Sequence, residues 1–387
     1  MSERERDCFS PENLAQRAKS MARKLKSDKV LFIATLLLVG MSVIMVYSAS
    51  AVLAQNRYSQ PYFFLIRQAM WGALGLALMS IAMRFDYRNY REPSFIWLSI
   101  GVVTLALVGV LFSRPINGSS RWFGLGGIGI QPSELAKLSA IFFIAAILER
   151  RMDRIDEISY ALVPIGLVVG MFVGLILLEP DLGTSITLML IAAAMVFTAG
   201  LSYRYIVGVL LGGLPVAYLL VMGSAYRRRR LMAFWDPWRD PLGDGFQVIQ
   251  SLIAVGAGGM TGRGFMAGVQ KLFYLPEPHT DFIFAVIGEE LGLLGTTVIL
   301  VCFVVIAWRG FQIAMDAPDR FGSFLAIGVT TMIAAQAFFN ISVVLGLVPT
   351  KGIPLPFVSA GGSSLLISLL GMGILLNVSQ HTTAAAS

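Results

Sequence analysis

Charge is what this chain has least of. Asp, Glu, Lys and Arg make up 14% of its 387 residues, about half of what a soluble domain carries. The charges are also unevenly spaced, which excludes a pair of ordinary soluble domains. Cysteine is nearly absent. Cys8 lies in a charged N-terminal segment and Cys302 in an apolar run, so no disulfide framework is expected. No solenoid repeat or low-complexity tract is evident. The first apolar run, Val30 to Ala54, is too long and starts too late for a cleavable signal peptide, and reads as an anchor that stays in the chain. The net charge of +7 has no continuous basic stripe behind it, so nucleic acid is not an expected partner.

Long charge-free runs are what remains, and about 20 apolar residues cross a bilayer as a helix. Reading the charges as punctuation gives an all-α integral membrane protein with about ten transmembrane helices. One long extracytoplasmic loop, residues 224 to 281, lies between spans seven and eight. The membrane domain covers residues 30 to 380. Residues 1 to 29 carry eight Lys or Arg. Leu14, Ala18, Met21 and Leu25 recur there at helical spacing, which suits an interfacial helix on an anionic leaflet as well as a basic tail. With the N-terminus inside, the inner segments hold seventeen Lys or Arg against five in the short outer loops. Both termini are therefore expected in the cytoplasm, including the 381–387 tail.

Several stretches depart from a plain bundle. Leu138 to Leu148 rises only about 16 Å, so span four must begin near Pro132 and draw Glu134 and Lys137 toward the membrane. Charges there face a wet cavity or each other, and i,i+3 spacing permits an ion pair. Asn117-Gly-Ser-Ser-Arg-Trp122 precedes it. Arg121 suits a phosphate and Trp122 a lipid–water interface, although an interfacial belt loop has the same residues. Glu179-Pro-Asp-Leu-Gly-Thr184 reads as a turn in which Asp181 caps the next helix. The long loop combines Arg227 to Arg230, Trp235, Trp238 and a run of glycines from Gly256 to Gly264, a pattern that suits anionic headgroups.

Between Lys271 and Glu290, four carboxylates (Glu277, Asp281, Glu289, Glu290) and His279 fall together. Asp281 stands where a helix would start, so it reads as an N-cap or as a base in a partly apolar mouth. In Pro349-Thr-Lys-Gly352 through Ser364, prolines and glycines break the backbone between apolar spans. Such breaks are tolerated where they line a cavity or lie buried, and Lys351 is the one charge there.

In order along the chain, Asn117 to Trp122, Gln131-Pro-Ser-Glu-Leu-Ala-Lys137, Glu179 to Thr184, Asp236-Pro-Trp-Arg-Asp-Pro241, Leu275 to Glu290 and Pro349 to Ser364 resemble the SEDS proteins, the FtsW, RodA and SpoVE type of peptidoglycan glycosyltransferase. Pro349-Thr-Lys-Gly352 and Gly288-Glu-Glu-Leu-Gly292 are most similar to the FtsW division branch. Two departures stand out: Ala360 replaces the family's Tyr in Ser-Tyr-Gly-Gly, and Phe273 stands where some relatives carry Glu.

The resemblance implies polymerisation of lipid II into glycan strands at the inner membrane of a bacterium, at the division septum. Inverting transfer would release undecaprenyl pyrophosphate, with Asp281 as the essential carboxylate. Substrate contacts are expected from Arg121, Trp122, Glu134, Lys137, His279, Thr280, Lys351 and Ser363. A class B penicillin-binding protein and other division proteins are the implied partners, besides membrane lipid. No cofactor is required by the reading; a divalent cation, Mg or Mn, stays open. A lipid II flippase and a non-catalytic division scaffold are the competing readings.

Overall fold

Helix after helix follows from the apolar runs, and the breaks between them follow from Asp, Pro and Gly. The computed structural model describes residues 27–113, 121–125, 128–154, 157, 160 and 162–382. The expected interfacial helix at residues 1 to 26, residues 117–120 of the first motif and the tail from 383 lie outside the described residues.

Among the described residues, twelve α-helices run in chain order: α1 (Lys29–Tyr58), α2 (Phe63–Arg84), α3 (Pro93–Leu111), α4 (Pro132–Arg151), α5 (Val163–Leu178), α6 (Leu182–Thr198), α7 (Tyr203–Met222), α8 (Ala225–Trp235), α9 (Phe246–Gly258), α10 (Ile283–Asp316), α11 (Arg320–Val344) and α12 (Gly362–Gln380). A two-stranded antiparallel hairpin, β1 (Phe123–Leu125) and β2 (Ile128–Ile130), precedes α4 and pairs Gly124 with Gly129. Ten helices are the spans: α1 to α7 and α10 to α12. Six of them (α1, α2, α3, α10, α11 and α12) are long and apolar enough to cross a bilayer by length and composition alone.

Carboxylates start three of the spans. Asp28, Asp181 and Asp319 accept from the backbone N–H of Leu31, Thr184 and Gly322, which satisfies orphan donors at the first turns of α1, α6 and α11. Prolines occupy the first turns of α3, α4 and α5, where a missing N–H leaves no bond unmade. The core lies where α4, α11 and α12 meet their neighbours; Leu138 to Ala146 of α4 is buried without interruption. By contrast, no side chain described on α7 is buried.

The stretch read as one polar loop carries α8 and α9; α9 packs against α10 and buries Val248, Ile249, Ser251, Ala254 and Gly258. A Cβ at Gly258 would strike the backbone of Gly288. α10 itself breaks at Gly292, whose φ of 63° and ψ of −160° only glycine adopts readily. The break is spliced to the loop after α9. Leu293 and Leu294 donate to the carbonyls of Gly259 and Met260 at 2.9 and 3.2 Å, and Arg263 and Gly264 donate to Glu289 and Glu290 at 3.0 Å each. Four backbone groups freed by the kink thus find partners. The splice lies about 14 Å along α10 from its start, so part of the expected outer loop runs inward alongside the span. The physical reason is the apolar face of α9, too short to be seen as a span.

Candidate functional site

At the end of the bundle opposite Lys29, four segments converge: the approach to β1, the α5–α6 turn, residues 276–281 and the α11–α12 connection. Asp281 is the residue they surround. Its backbone is held by a run of three acceptors. The carbonyl of His279 accepts from Ala360 N at 2.9 Å, that of Thr280 from Ser359 Oγ at 2.6 Å, and that of Asp281 from Asn340 Nδ2 at 2.8 Å. The same Asn340 amide donates to the carbonyl of Ile353 at 2.8 Å, so one side chain of α11 ties both strands of the site together. Ser359 Oγ also accepts from Leu355 N at 2.8 Å.

With its backbone fixed, the Asp281 carboxylate is left over. The N-cap of α10 is Phe282 and has no side-chain capping bond, so Asp281 does not cap this helix. Among the described residues it takes no hydrogen bond. It lies against Gly352, where a Cβ would come within 3.0 Å of Oδ2. Burial pushes its pKa up to about 7, helped by Glu277 and Asp181 and opposed by Arg230 and Arg121. A carboxyl poised near neutrality, with oxygens unspent, can take a proton from a hydroxyl.

Arg121 is clamped on the α5–α6 turn: Nε donates to the carbonyl of Glu179 at 2.9 Å and Nη2 to that of Pro180 at 2.5 Å. Asp181 accepts from Thr184 N at 3.1 Å, Thr184 Oγ1 at 2.9 Å and Gln131 Nε2 at 3.2 Å. The Glu179 carboxyl is fully buried and neither oxygen finds a partner among the described residues; burial, then Asp181, pushes it up to about 8 against the pull of Arg121. Lys351 is lowered by burial, with Asp181 working the other way. From α8, Arg230 Nη1 donates to the carbonyl of Thr350 at 3.1 Å. Five ionisable groups that the sequence spreads from position 121 to position 351, Arg121, Asp181, Arg230, Lys351 and Asp281, thus act on one another in pairs around the carboxylate.

The other expected contacts fall into two groups. His279 and Thr280 adjoin Asp281, and both are engaged through their carbonyls. The His279 ring lies 4.5 Å from Phe64, is buried, and is lowered in pKa by that burial against the pull of Glu277. Thr280 Oγ1 donates to the carbonyl of Glu277 at 3.3 Å. Trp122 packs on Gly129, where a Cβ would meet the indole at 3.0 Å. Away from Asp281, Lys137 Nζ pairs with Glu134 Oε1 at 2.8 Å inside α4, both side chains closed to solvent. Ser363 is buried at the start of α12 and its hydroxyl has no partner among the described residues.

Glu289 and Glu290 are not part of this cluster. Glu289 accepts from Val269 N at 2.8 Å and Gln270 N at 3.1 Å, and pairs with Arg263 at 3.4 Å. Glu290 pairs with Lys271 at 2.5 Å and accepts from Ser48 Oγ and Met266 N. They anchor the spliced loop. No group of three or more His, Cys, Asp or Glu comes together to hold a metal ion among the described residues, and both Asp181 oxygens are already engaged. The donor set of the described residues does not fit a protein-built metal cage.

Sequence reading missed Glu179, Asp181, Arg230, Asn340, Ser359 and Gly352 as members of the site. One signal was present: α5 and α6 have 16 and 17 residues, about 24 to 26 Å of rise, short of a bilayer core of about 30 Å. The turn that joins them is therefore recessed.

A family model described as a cell cycle protein, that of FtsW, RodA and SpoVE, matches residues 28–384. The chain belongs to the FtsW/RodA/SpoVE family. A FtsW/RodA/SpoVE relative from Geobacter sulfurreducens, called probable peptidoglycan glycosyltransferase FtsW, is 43% identical over 92% of this chain and 96% of its own. Stage V sporulation protein E of Bacillus subtilis is 45% identical, over 93% of this chain and 99% of its own. Among solved structures, a chain from work on structural coordination of polymerization and crosslinking by a peptidoglycan synthase complex superposes with a TM-score of 0.76 at 33% identity, covering 92% of this chain and 98% of that one. The rod shape determining protein RodA of Thermus thermophilus superposes at 0.69 and 28% identity, over 93% and 98%.

Proposed function

We propose that this protein is a peptidoglycan glycosyltransferase of cell division that polymerises lipid II, with Asp281 as general base. The observation that carries the assignment of the base is that Asp281 is locked through its carbonyl while its carboxylate is spent on no hydrogen bond among the described residues. In the reaction, the 4-hydroxyl of one substrate's GlcNAc attacks the anomeric carbon of MurNAc on the lipid-linked strand. The hydroxyl proton passes to Asp281, the C–O bond to the pyrophosphate breaks, and the anomeric centre inverts. Negative charge grows on the leaving undecaprenyl pyrophosphate. Arg121 and Lys351 are the cations placed to meet it, whereas Lys137 is committed to Glu134. That closed pair also disfavours a flippase, which would use titratable groups at mid-bilayer.

Orientation follows from charge. The end holding Lys29, Arg84, Arg150 and Arg320 faces the cytoplasm and the Asp281 end faces outward. The relative solved within a complex that couples polymerization to crosslinking supports a class B penicillin-binding protein as partner here, at the septum. The test is to supply labelled lipid II in detergent to the chain with that transpeptidase and to run the product on a gel. Wild type is expected to make polymer and Asp281→Asn at least about a hundredfold less, with the complex intact. Equal polymer from both removes Asp281 as base; no polymer from either returns the weight to transport or scaffolding.

A further inference from the structure

The Glu179 carboxyl is a buried acid close to the site that the described residues leave without support. It is 0% exposed and, among the described residues, neither oxygen has a hydrogen-bond partner. An ionised carboxylate so placed is far more costly than a neutral one. It also cannot touch substrate, because no solvent reaches it. Yet the backbone of the same residue is what Arg121 grips, through the carbonyls of Glu179 and Pro180.

We propose that Glu179 is a positioning residue for glycosyl transfer, a carboxyl carried uncharged so that the Arg121 guanidinium, fixed on the Glu179–Pro180 backbone, keeps its positive charge free for the pyrophosphate of the lipid-linked substrate. The inference rests on the polymerase reading above. Its logic is one of charge. The groups that face this turn are Arg121 before β1, Asp181 at the cap of α6, Lys351 from the α11–α12 connection, which interacts with Asp181, and Asp281, which interacts with both Asp181 and Arg121. Both oxygens of Asp181 are already held, by Thr184 and Gln131. An anion at Glu179 would pair with Arg121 and cancel the charge that a leaving pyrophosphate needs. Glutamic acid in its neutral form fills the space and leaves the cation alone.

The sign of the pH dependence is fixed. Burial raises the folded-state pKa of Glu179 to about 8 from an ordinary value of 4.5. Between those values the folded chain holds a proton that the unfolded chain releases. Its contribution to stability is therefore full below about 4.5 and is lost as pH rises to about 8. Above about 8 the ionised carboxylate forms beside Arg121.

The experiment compares wild type with Glu179→Gln, in complex with the transpeptidase, for KM and kcat on lipid II at pH 7 and pH 9. The titration of the substrate's own pyrophosphate is common to both and cancels. In wild type the ratio of KM at pH 9 to KM at pH 7 is expected to exceed that of the Gln variant at least about tenfold, and kcat is expected to fall further in wild type than in the variant, because the same cation meets the leaving pyrophosphate. Melting temperature in detergent gives a second readout independent of activity: wild type is expected to lose stability from pH 5 to pH 8 relative to Glu179→Gln. A side chain that merely packs would move neither difference. Parallel KM profiles, or a Gln variant that folds but makes no polymer at pH 7, overturn the proposal. So do melting curves that run parallel across pH. If wild type itself makes no polymer, the polymerase reading fails first, and the role assigned to Glu179 falls with it even where the melting curves show the proton.

Discussion

The charge on Asp281 is set by its neighbours. Burial, Glu277 and Asp181 hold it up to about 7, and Arg230 is the larger of the two cations that pull it down. A base must be ionised to act, so polymerisation is expected to rise as pH increases through about 7. Arg230→Gln removes the larger restraint and is expected to move that acid limb to higher pH, read as initial rate against pH on lipid II. A limb that stays in place or moves lower shows that Arg230 does not act on Asp281. The same displacement has a stability sign. Because the folded pKa is raised, the contribution of Asp281 to stability is lost as pH rises from 3.8 toward about 7. Asp281→Asn is expected to melt above wild type at pH 8 in detergent, and a lower melting point would contradict the effect of burial. This residue was legible in the sequence as a carboxylate after two prolines and before an apolar run. Whether it was cap or base was not legible, since that depended on Asn340, 59 positions away. Glu179 was harder still. Its turn reads as an ordinary proline break until two short spans draw it below the surface.

At the scale of elements, the spans were written in the charges, and the exception is instructive. Residues 246–275 read as loop because α9 is only 13 residues long and glycines follow it. Glycine here marks contact, not freedom: Gly258 meets Gly288 and Gly262 meets the break in α10. Broken backbone beside a span is tolerated only when its polar groups are met, and the exchange with Glu289, Glu290, Leu293 and Leu294 meets them. Gly292→Ala would place a Cβ at a positive φ and against the Met260 backbone. A loss on the order of 3 kcal/mol is expected, seen as a lower melting temperature in detergent. The side-chain half of the splice is the Lys271–Glu290–Ser48 cluster, in which Lys271 and Glu290 are closed to solvent. Lys271→Met strands a buried carboxylate, which costs roughly 3 to 5 kcal/mol. The double variant Lys271→Met, Glu290→Gln is expected to recover part of that, because no charge is left unpaired. If the double variant melts no higher than Lys271→Met alone, the pair is not acting as a pair.

For the whole molecule, the decisive property is its polarity across the membrane. The exposed ion pairs at the Lys29 end, Arg88–Asp319 at 3.4 Å, Arg91–Glu149 at 3.4 Å and Arg320–Asp153 at 3.1 Å, contribute little stability singly. Their arginines matter for orientation, where the count of positive charge on short loops decides. The chain lends itself to a direct test because it has so little cysteine: Cys302 is buried and Cys8 can be replaced by serine. In that background, Trp238→Cys sits on the Asp281 side and Asp153→Cys on the Lys29 side, both at exposed positions. A membrane-impermeant maleimide applied to intact spheroplasts is expected to label Trp238→Cys and to label Asp153→Cys only after lysis. The opposite pattern would turn the molecule over and put Asp281 in the cytoplasm. A strand polymerised there would have to cross the membrane after synthesis. Orientation and catalysis therefore stand together: the carboxylate can build a wall only from the side on which the wall lies.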